Sequence, residues 1–407
     1  MTEDLVQDSW NRIDAWLSTH APRTFASLAP PAGREELAAA EEELGVTFPP
    51  DLVASLLRHD GAREGAEAFL FSTHDRLLGV SEIVGDTRFM RGIAEDLADD
   101  VDEDEAAGYW HHGYLKFGSY GVTSDGLTID CRHGRESYGA IGRFFDETGT
   151  DFGRADSLGG YLAELADELE RGQAAGAVTF NGRLFWEWAR PPGPDWGSAD
   201  DPLPRPDDAQ LPELNLSHDP DAPLPVGLLD GFEELGALLA VLPRERVAAA
   251  GRKQLRRLAA ETGLDKYPEI ESALAALDRG ETPPRPDPSG SLALRLRTVL
   301  DQANTRRDHH RRWAAEKMPH GIWGSPYWSV YETAAVRSRL TLDWRADLHE
   351  DLGSPPLPPI PDERFWATLR NPAIDSGWYA AQYGRDVQDT QDTQDTRDTQ
   401  DTRDTQD

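Results

Sequence analysis

Between Pro191 and Pro225 the chain reads PPGPDWGSADDPLPRPDDAQLPELNLSHDPDAPLP, and no helix or sheet of ordinary length can run through it. Proline has no backbone N–H to donate and fixes its own φ, while Asp and Gly favour turns. The stretch therefore reads as an extended linker that forces the sequence into two halves. A length of 407 residues is compatible with two or three domains. A second boundary lies near the C-terminus, where Gln388–Asp407 repeats a QDT/RDT triplet with no apolar residue to bury. Such a tail is expected to be solvated and disordered. The organisation expected is a domain over 1–190, a linker over 191–225, a mostly helical domain over 226–387 and a tail over 388–407.

Both halves carry enough apolar residues for a core, since 38% of the chain is hydrophobic and 12 residues are Trp. No apolar run approaches the ~20 residues that a membrane-spanning helix needs. The start, Met1-Thr2-Glu3-Asp4, lacks the basic flank and apolar core of a secretory signal, so a cytoplasmic protein is expected. A single cysteine, Cys131, excludes an intramolecular disulfide and a thiolate zinc cluster.

Charge is large and unevenly placed. The net charge is −33. Met1 to Gly172 holds 35 acidic and 14 basic side chains, net −21, whereas Gly251 to Glu350 holds 14 acidic and 17 basic, net +3. An acidic first domain repels phosphates and anionic lipid and favours basic partners, so neither nucleic acid nor a membrane surface is the expected target.

Within the first half, periodicity gives a helix–helix–strands–helix order. Trp10, Ile13 and Leu17 share one face of a short helix. Pro31 to Leu44 reads as a helix with Leu37, Ala40 and Leu44 as its buried stripe and Gly45 as its stop. Phe48-Pro49-Pro50 turns the chain, and Asp51 stands where it would cap a helix from Leu52 to Leu57. Tyr114–Phe117, Leu127–Asp130 and Ala140–Phe145 read as strands of one antiparallel sheet. Leu158, Leu162, Leu165 and Leu169 mark a closing amphipathic helix.

The stretch from Arg34 to Gly61, REELAAAEEELGVTFPPDLVASLLRHDG, resembles the signature of the SUKH superfamily (the Smi/Knr-type domain). That signature is a helix ending in Leu-Gly, a Leu-Pro or Phe-Pro turn, a second helix and an Asn-Gly or Asp-Gly stop. Leu77-Leu78 with Ser81-Glu82-Ile83, Trp110 to Phe117, Ser124 to Asp130, Gly139 to Asp146 and Ser157 to Leu169 continue the resemblance in order. Tyr120-Gly121-Val122-Thr123 departs from it, standing where a Gly-rich turn is usual. The likeness covers about residues 1–172 and is silent on 226–387. It implies an α+β domain, an antiparallel sheet with flanking helices, and no catalytic constellation. It also implies a protein partner: a basic toxin domain neutralised by an immunity protein, or the components served by a fungal cell-wall regulator.

Candidate partner-binding residues are Asp99, Asp100, Asp102, Glu103 and Asp104 of the run DDVDEDE, with Trp110 and Tyr114 following it. Acids speed encounter with a basic surface, and Trp and Tyr dominate interface hot spots. Against this stand a solvated loop for the acids and core packing for the aromatics. His111 and His112 are adjacent and would point apart on a strand. Asp125 and Asp130 would lie about 16 Å apart along a strand, too far for a catalytic dyad, and read as turn residues.

In the second half, Arg306-Arg307-Asp308-His309-His310-Arg311-Arg312-Trp313 reads as a basic cluster near the end of a long helix. Trp323, Tyr327, Trp328, Tyr331 and Trp344 read as core. His309, His310 and His320 lack the spacing of a metal motif, and there is no P-loop, dinucleotide fingerprint or nucleophile elbow. No catalytic residue, metal or cofactor is expected. Three readings follow in order: an immunity-type or adaptor protein-binding module, a scaffold of wall synthesis, and an enzymatic or effector activity in the helical half that would depend on His309 or His320.

Overall fold

The computed structural model describes residues 2–72, 74–98, 109–121, 123–188, 202–203, 205, 211–222, 229–281, 283–284, 287–362 and 364–365. The chain divides into two compact units, Met1–Trp188 and Ala189–Asp407. The repeat over 388–407 lies outside the described residues.

In the first unit, helix α1 (Thr2–His20) extends well beyond the short helix expected. Val6, Trp10, Ile13 and Leu17 recur at helical spacing, and all four are fully buried. After the single turn α2 (Pro22–Phe25), α3 (Arg34–Leu44) buries Leu37, Ala40 and Leu44, the stripe the sequence indicates. It begins three residues later than Pro31, because Gly33 is extended, and Gly45 closes it in the left-handed conformation at φ 65°. Helix α4 (Pro50–Leu56) departs from expectation at Asp51. Pro49 holds its cap position, with no side-chain cap bond. Asp51 is buried, and its Oδ2 instead accepts the Gly159 N–H at 3.0 Å, in the first turn of a different helix.

The sheet is an antiparallel meander of β1 (Arg76–Leu77), β2 (Tyr114–Ser119), β3 (Gly126–Asp130), β4 (Ile141–Phe145) and β5 (Gly149–Ala155), paired in that order. Helix α5 (Val80–Ala98) lies in sequence between β1 and β2. Successive side chains on a strand face opposite sides. Leu115, Leu127, Ile129 and Ile141 therefore face the main core with α1, α3, α4 and α6 (Leu158–Arg171). Tyr114, Lys116 and Phe144 face the other way, towards α5, where Lys116 Nζ meets Asp86 at 3.3 Å and Met90 packs with Tyr114 and Phe144. Cover on both sides leaves every residue of β2 and β3 buried. Helix α6 is capped by Ser157, whose Oγ accepts the Gly160 N–H at 3.1 Å. A separate hairpin, β6 (Ala177–Phe180) with β7 (Arg183–Trp186), follows.

The second unit is helical. Its helices are α7 (Leu235–Val241), α8 (Arg244–Thr262), α9 (Pro268–Asp278), α10 (Ser291–Arg306), α11 (His309–Trp323), α12 (Pro326–Arg337) and α13 (Trp344–Asp351). Helix α8 packs against α9, α11, α12 and α13, and its Leu255, Leu258 and Ala259 join Leu296, Val299, Ala314 and Met318 in one core. Arg337 and Arg295 are among the arginines buried in this unit. Arg337 donates to Glu261, Asp347 and Gln254, and Arg295 donates to Glu269 at 3.0 Å. Residues 211–222 form no helix or strand, and they are fastened to this unit. Arg297 donates to the Leu211 and Pro212 carbonyls at 2.9 and 2.7 Å, Arg244 donates to Pro220, and Leu214 packs against the core. The Arg306–Trp313 cluster is a corner and not the end of one long helix. Arg307 takes a left-handed conformation at φ 56°, and Asp308 accepts the Arg311 N–H at 3.1 Å to start α11.

Candidate protein-interaction face

The acidic run, with Asp99, Asp100, Asp102, Glu103 and Asp104, lies outside the described residues, which stop at Ala98 and resume at Tyr109. The aromatics that follow it are internal. Trp110 is 2% exposed and Tyr114 8%, and with Met90 and Phe144 they make a small second core. Their rings meet edge to face, Trp110 on Phe144 at 5.6 Å and Trp110 on Tyr114 at 5.9 Å. This is the packing role weighed for them in the sequence, and their rings offer little surface to a partner. Tyr109 lies over Phe144 at 5.0 Å and donates its hydroxyl to Asp146 at 2.8 Å. Burial and that carboxylate push the phenol up to about 12.

Beside this core an open cleft of about 630 Å³ is lined by the end of α3, by Arg91 of α5, and by His112, Cys131 and Arg132. Arg91 spans it, donating to the Leu44 carbonyl at 2.8 Å and the His112 carbonyl at 2.5 Å. It thereby satisfies a carbonyl at the C-terminus of α3. Burial lowers its pKa, and its Nε is buried without a partner. His111 accepts the Gly113 N–H through Nδ1 at 2.9 Å, and burial, then Arg132, lowers its pKa. Burial pushes the Cys131 thiol far up, so it is a packed sulfur and not a nucleophile.

Asp125 and Asp130 take the turn roles read from their spacing. Asp125 accepts the Asp146 N–H at 2.9 Å. Asp130, fully buried, accepts from the Arg132 backbone at 2.9 Å, the Arg132 guanidinium at 2.7 Å and the Ser137 hydroxyl at 2.6 Å. Burial opposes the charge on Asp130, but these donors outweigh it and hold the pKa below its ordinary value.

The exposed aromatics lie elsewhere. Phe89 is 62% exposed on the outer face of α5 and Phe145 39% exposed at the end of β4. A groove of about 490 Å³ runs between α3 and α5, with Ala39, Val84 and Gly85 lining it and Glu36, Glu43 and Arg88 at its rim. Sequence reading missed this face. The available signal was Phe89, an aromatic beside Arg88 where helical periodicity places polar residues.

In the second unit His309 and His310 approach Trp313, and His320 sits 3.6 Å from Glu332. Trp344 is fully buried as read, whereas Trp328 is 36% exposed, because its position on α12 faces outward. Among the described residues no group of three or more His, Cys, Asp or Glu is placed to hold a metal ion. No helix among them is long and apolar enough to cross a membrane.

A five-stranded antiparallel meander with helices packed on both faces, and with buried acids serving its turns, is an α+β domain. Residues 31–164 match the SMI1 / KNR4 family (SUKH-1), so the first unit carries a SUKH-1 domain. Over 94 residues the chain is 35% identical to a KNR4/SMI1 homolog of Eremothecium gossypii, covering 22% of this chain and 14% of that protein. It is 31% identical over 94 residues to the cell wall assembly regulator SMI1 of Saccharomyces cerevisiae, covering 22% and 18%. It is 27% identical over 188 residues to the cell wall biosynthesis/cell cycle regulator smi1 of Schizosaccharomyces pombe, covering 41% and 37%. The chain thus spans well under half the length of these relatives.

Proposed function

We propose that this chain is a non-catalytic regulator of cell-wall assembly that acts by binding other proteins through its SUKH-1 domain. The observation that carries the reading is the family match over residues 31–164, shared with relatives that regulate wall assembly. The domain's chemistry is consistent with it. Its buried acids are committed to turns and helix ends, while Phe89 and the Glu36–Glu43 groove rim stay open to a partner. The balance of −21 over Met1 to Gly172 favours a basic partner surface, met by the run that includes Asp99 to Asp104. That same balance supports a second reading, immunity-type occlusion of a basic toxin domain.

Deleting the gene in its native host separates the two. The regulator reading predicts hypersensitivity to a wall-perturbing dye, restored by the full-length chain. Normal wall tolerance combined with a new sensitivity to toxin-bearing neighbours would overturn it in favour of immunity.

A further inference from the structure

The second unit contains a pocket unrelated to the SUKH-1 domain. A cavity of about 240 Å³ lies where the C-terminus of α11 and the start of α12 meet the segment around His218. His218 and His320 stand edge to face in its wall, centroids 4.3 Å apart. Trp328 also lines it and is 36% exposed, with Asp219 and Glu332 supplying carboxylates. No lysine or arginine lines the pocket among the described residues.

His218 adds no positive charge to the pocket wall. Its ring is hydrogen-bonded to the Asn215 backbone. Nε2 is buried without a partner, so the bond to Asn215 is made by Nδ1. Burial and the neighbouring His320 lower the pKa to about 4, so the imidazole is neutral near pH 7. A neutral imidazole that donates through Nδ1 presents a lone pair at Nε2. That atom is enclosed by the protein, so the ring offers the pocket a neutral aromatic wall and no charge. The charges are not equally available. Glu332 is engaged by Lys317 at 2.6 Å and lies 3.6 Å from His320, whereas Asp219 is exposed and makes no ion pair among the described residues. An aromatic face beside a carboxylate attracts an organic cation.

We propose that this pocket binds an alkylammonium or alkylguanidinium group, which places its charge between Trp328 and Asp219 beside the neutral ring of His218. The volume suits the head of one such group and not a drug-sized molecule.

Titration calorimetry of the full chain with n-butylguanidinium tests the assignment, with n-butylurea as the uncharged isostere. Saturable one-to-one binding of the cation is expected, with a Kd on the order of 1 mM for a ligand of this size. Trp328→Ala and Asp219→Asn change exposed side chains, and each is expected to weaken binding at least tenfold with an unchanged melting profile. The proposal is overturned if no saturable binding occurs in the millimolar range. It is equally overturned if n-butylurea binds as well as the cation, or if Trp328→Ala and Asp219→Asn bind like the parent.

Discussion

Asp14 accepts from His59 at 3.0 Å and from Arg58, tying α1 to the chain beyond α4. Burial raises its pKa, but the donors more than compensate, and Asp130 behaves alike. For both, the folded pKa lies below the ordinary 3.8. The stability they contribute is therefore complete above that value and is lost as pH falls through the folded pKa. Acid unfolding of the first unit, followed by circular dichroism, is expected to steepen below about pH 4, and Asp130→Asn to flatten that limb. Arg337 has a larger stake, because its fully buried guanidinium is held by two carboxylates and an amide. Replacing it with Ala leaves Glu261 and Asp347 without their shared cation, and is expected to cost the second unit about 3–5 kcal/mol in a denaturant titration. A loss under 1 kcal/mol would show that the network is solvated.

At the scale of elements, legibility follows length and periodicity. The stripe of α3, the strands at Tyr114, Leu127 and Ile141, and the leucine face of α6 stand out because each buries one clear face. Strand β1 has two residues, and β5 is an edge strand with Gly149 and Gly153 in its path, so neither gives a hydrophobic alternation. The hairpin β6–β7 holds four residues per strand and was equally silent. Asp51 was misread for a tertiary reason: the helix it serves lies more than a hundred residues away in sequence. Trp110 and Tyr114 are legible as aromatic, but whether such a ring faces solvent depends on α5, whose extent from Val80 to Ala98 no sequence expectation covers. Helix α5 carries the corresponding prediction. Phe89 on its outer face contributes little to stability, so Phe89→Asp is expected to leave the melting temperature unchanged while weakening partner capture at least tenfold. A lowered melting temperature with intact capture would assign Phe89 to packing.

For the whole molecule, the division of charge is the property that two units make possible. The first carries −21 over Met1 to Gly172, and Gly251 to Glu350 carries +3, so the protein is not a uniformly acidic body. Any long-range attraction of a basic protein would belong to the first unit and would weaken with salt over a Debye length of about 8 Å at physiological ionic strength. The central claim is that the SUKH-1 domain recruits a protein through this acidic, aromatic-bearing surface. The most direct test is affinity capture of full-length protein from its native host beside a variant with Asp99, Asp100, Asp102 and Asp104 changed to Lys, read by quantitative mass spectrometry at low and high salt. The account predicts a wall-assembly component recovered by the parent, depleted at least tenfold by the variant, and less affected by the variant at high salt. Equal recovery of that component by both proteins at low salt would contradict it.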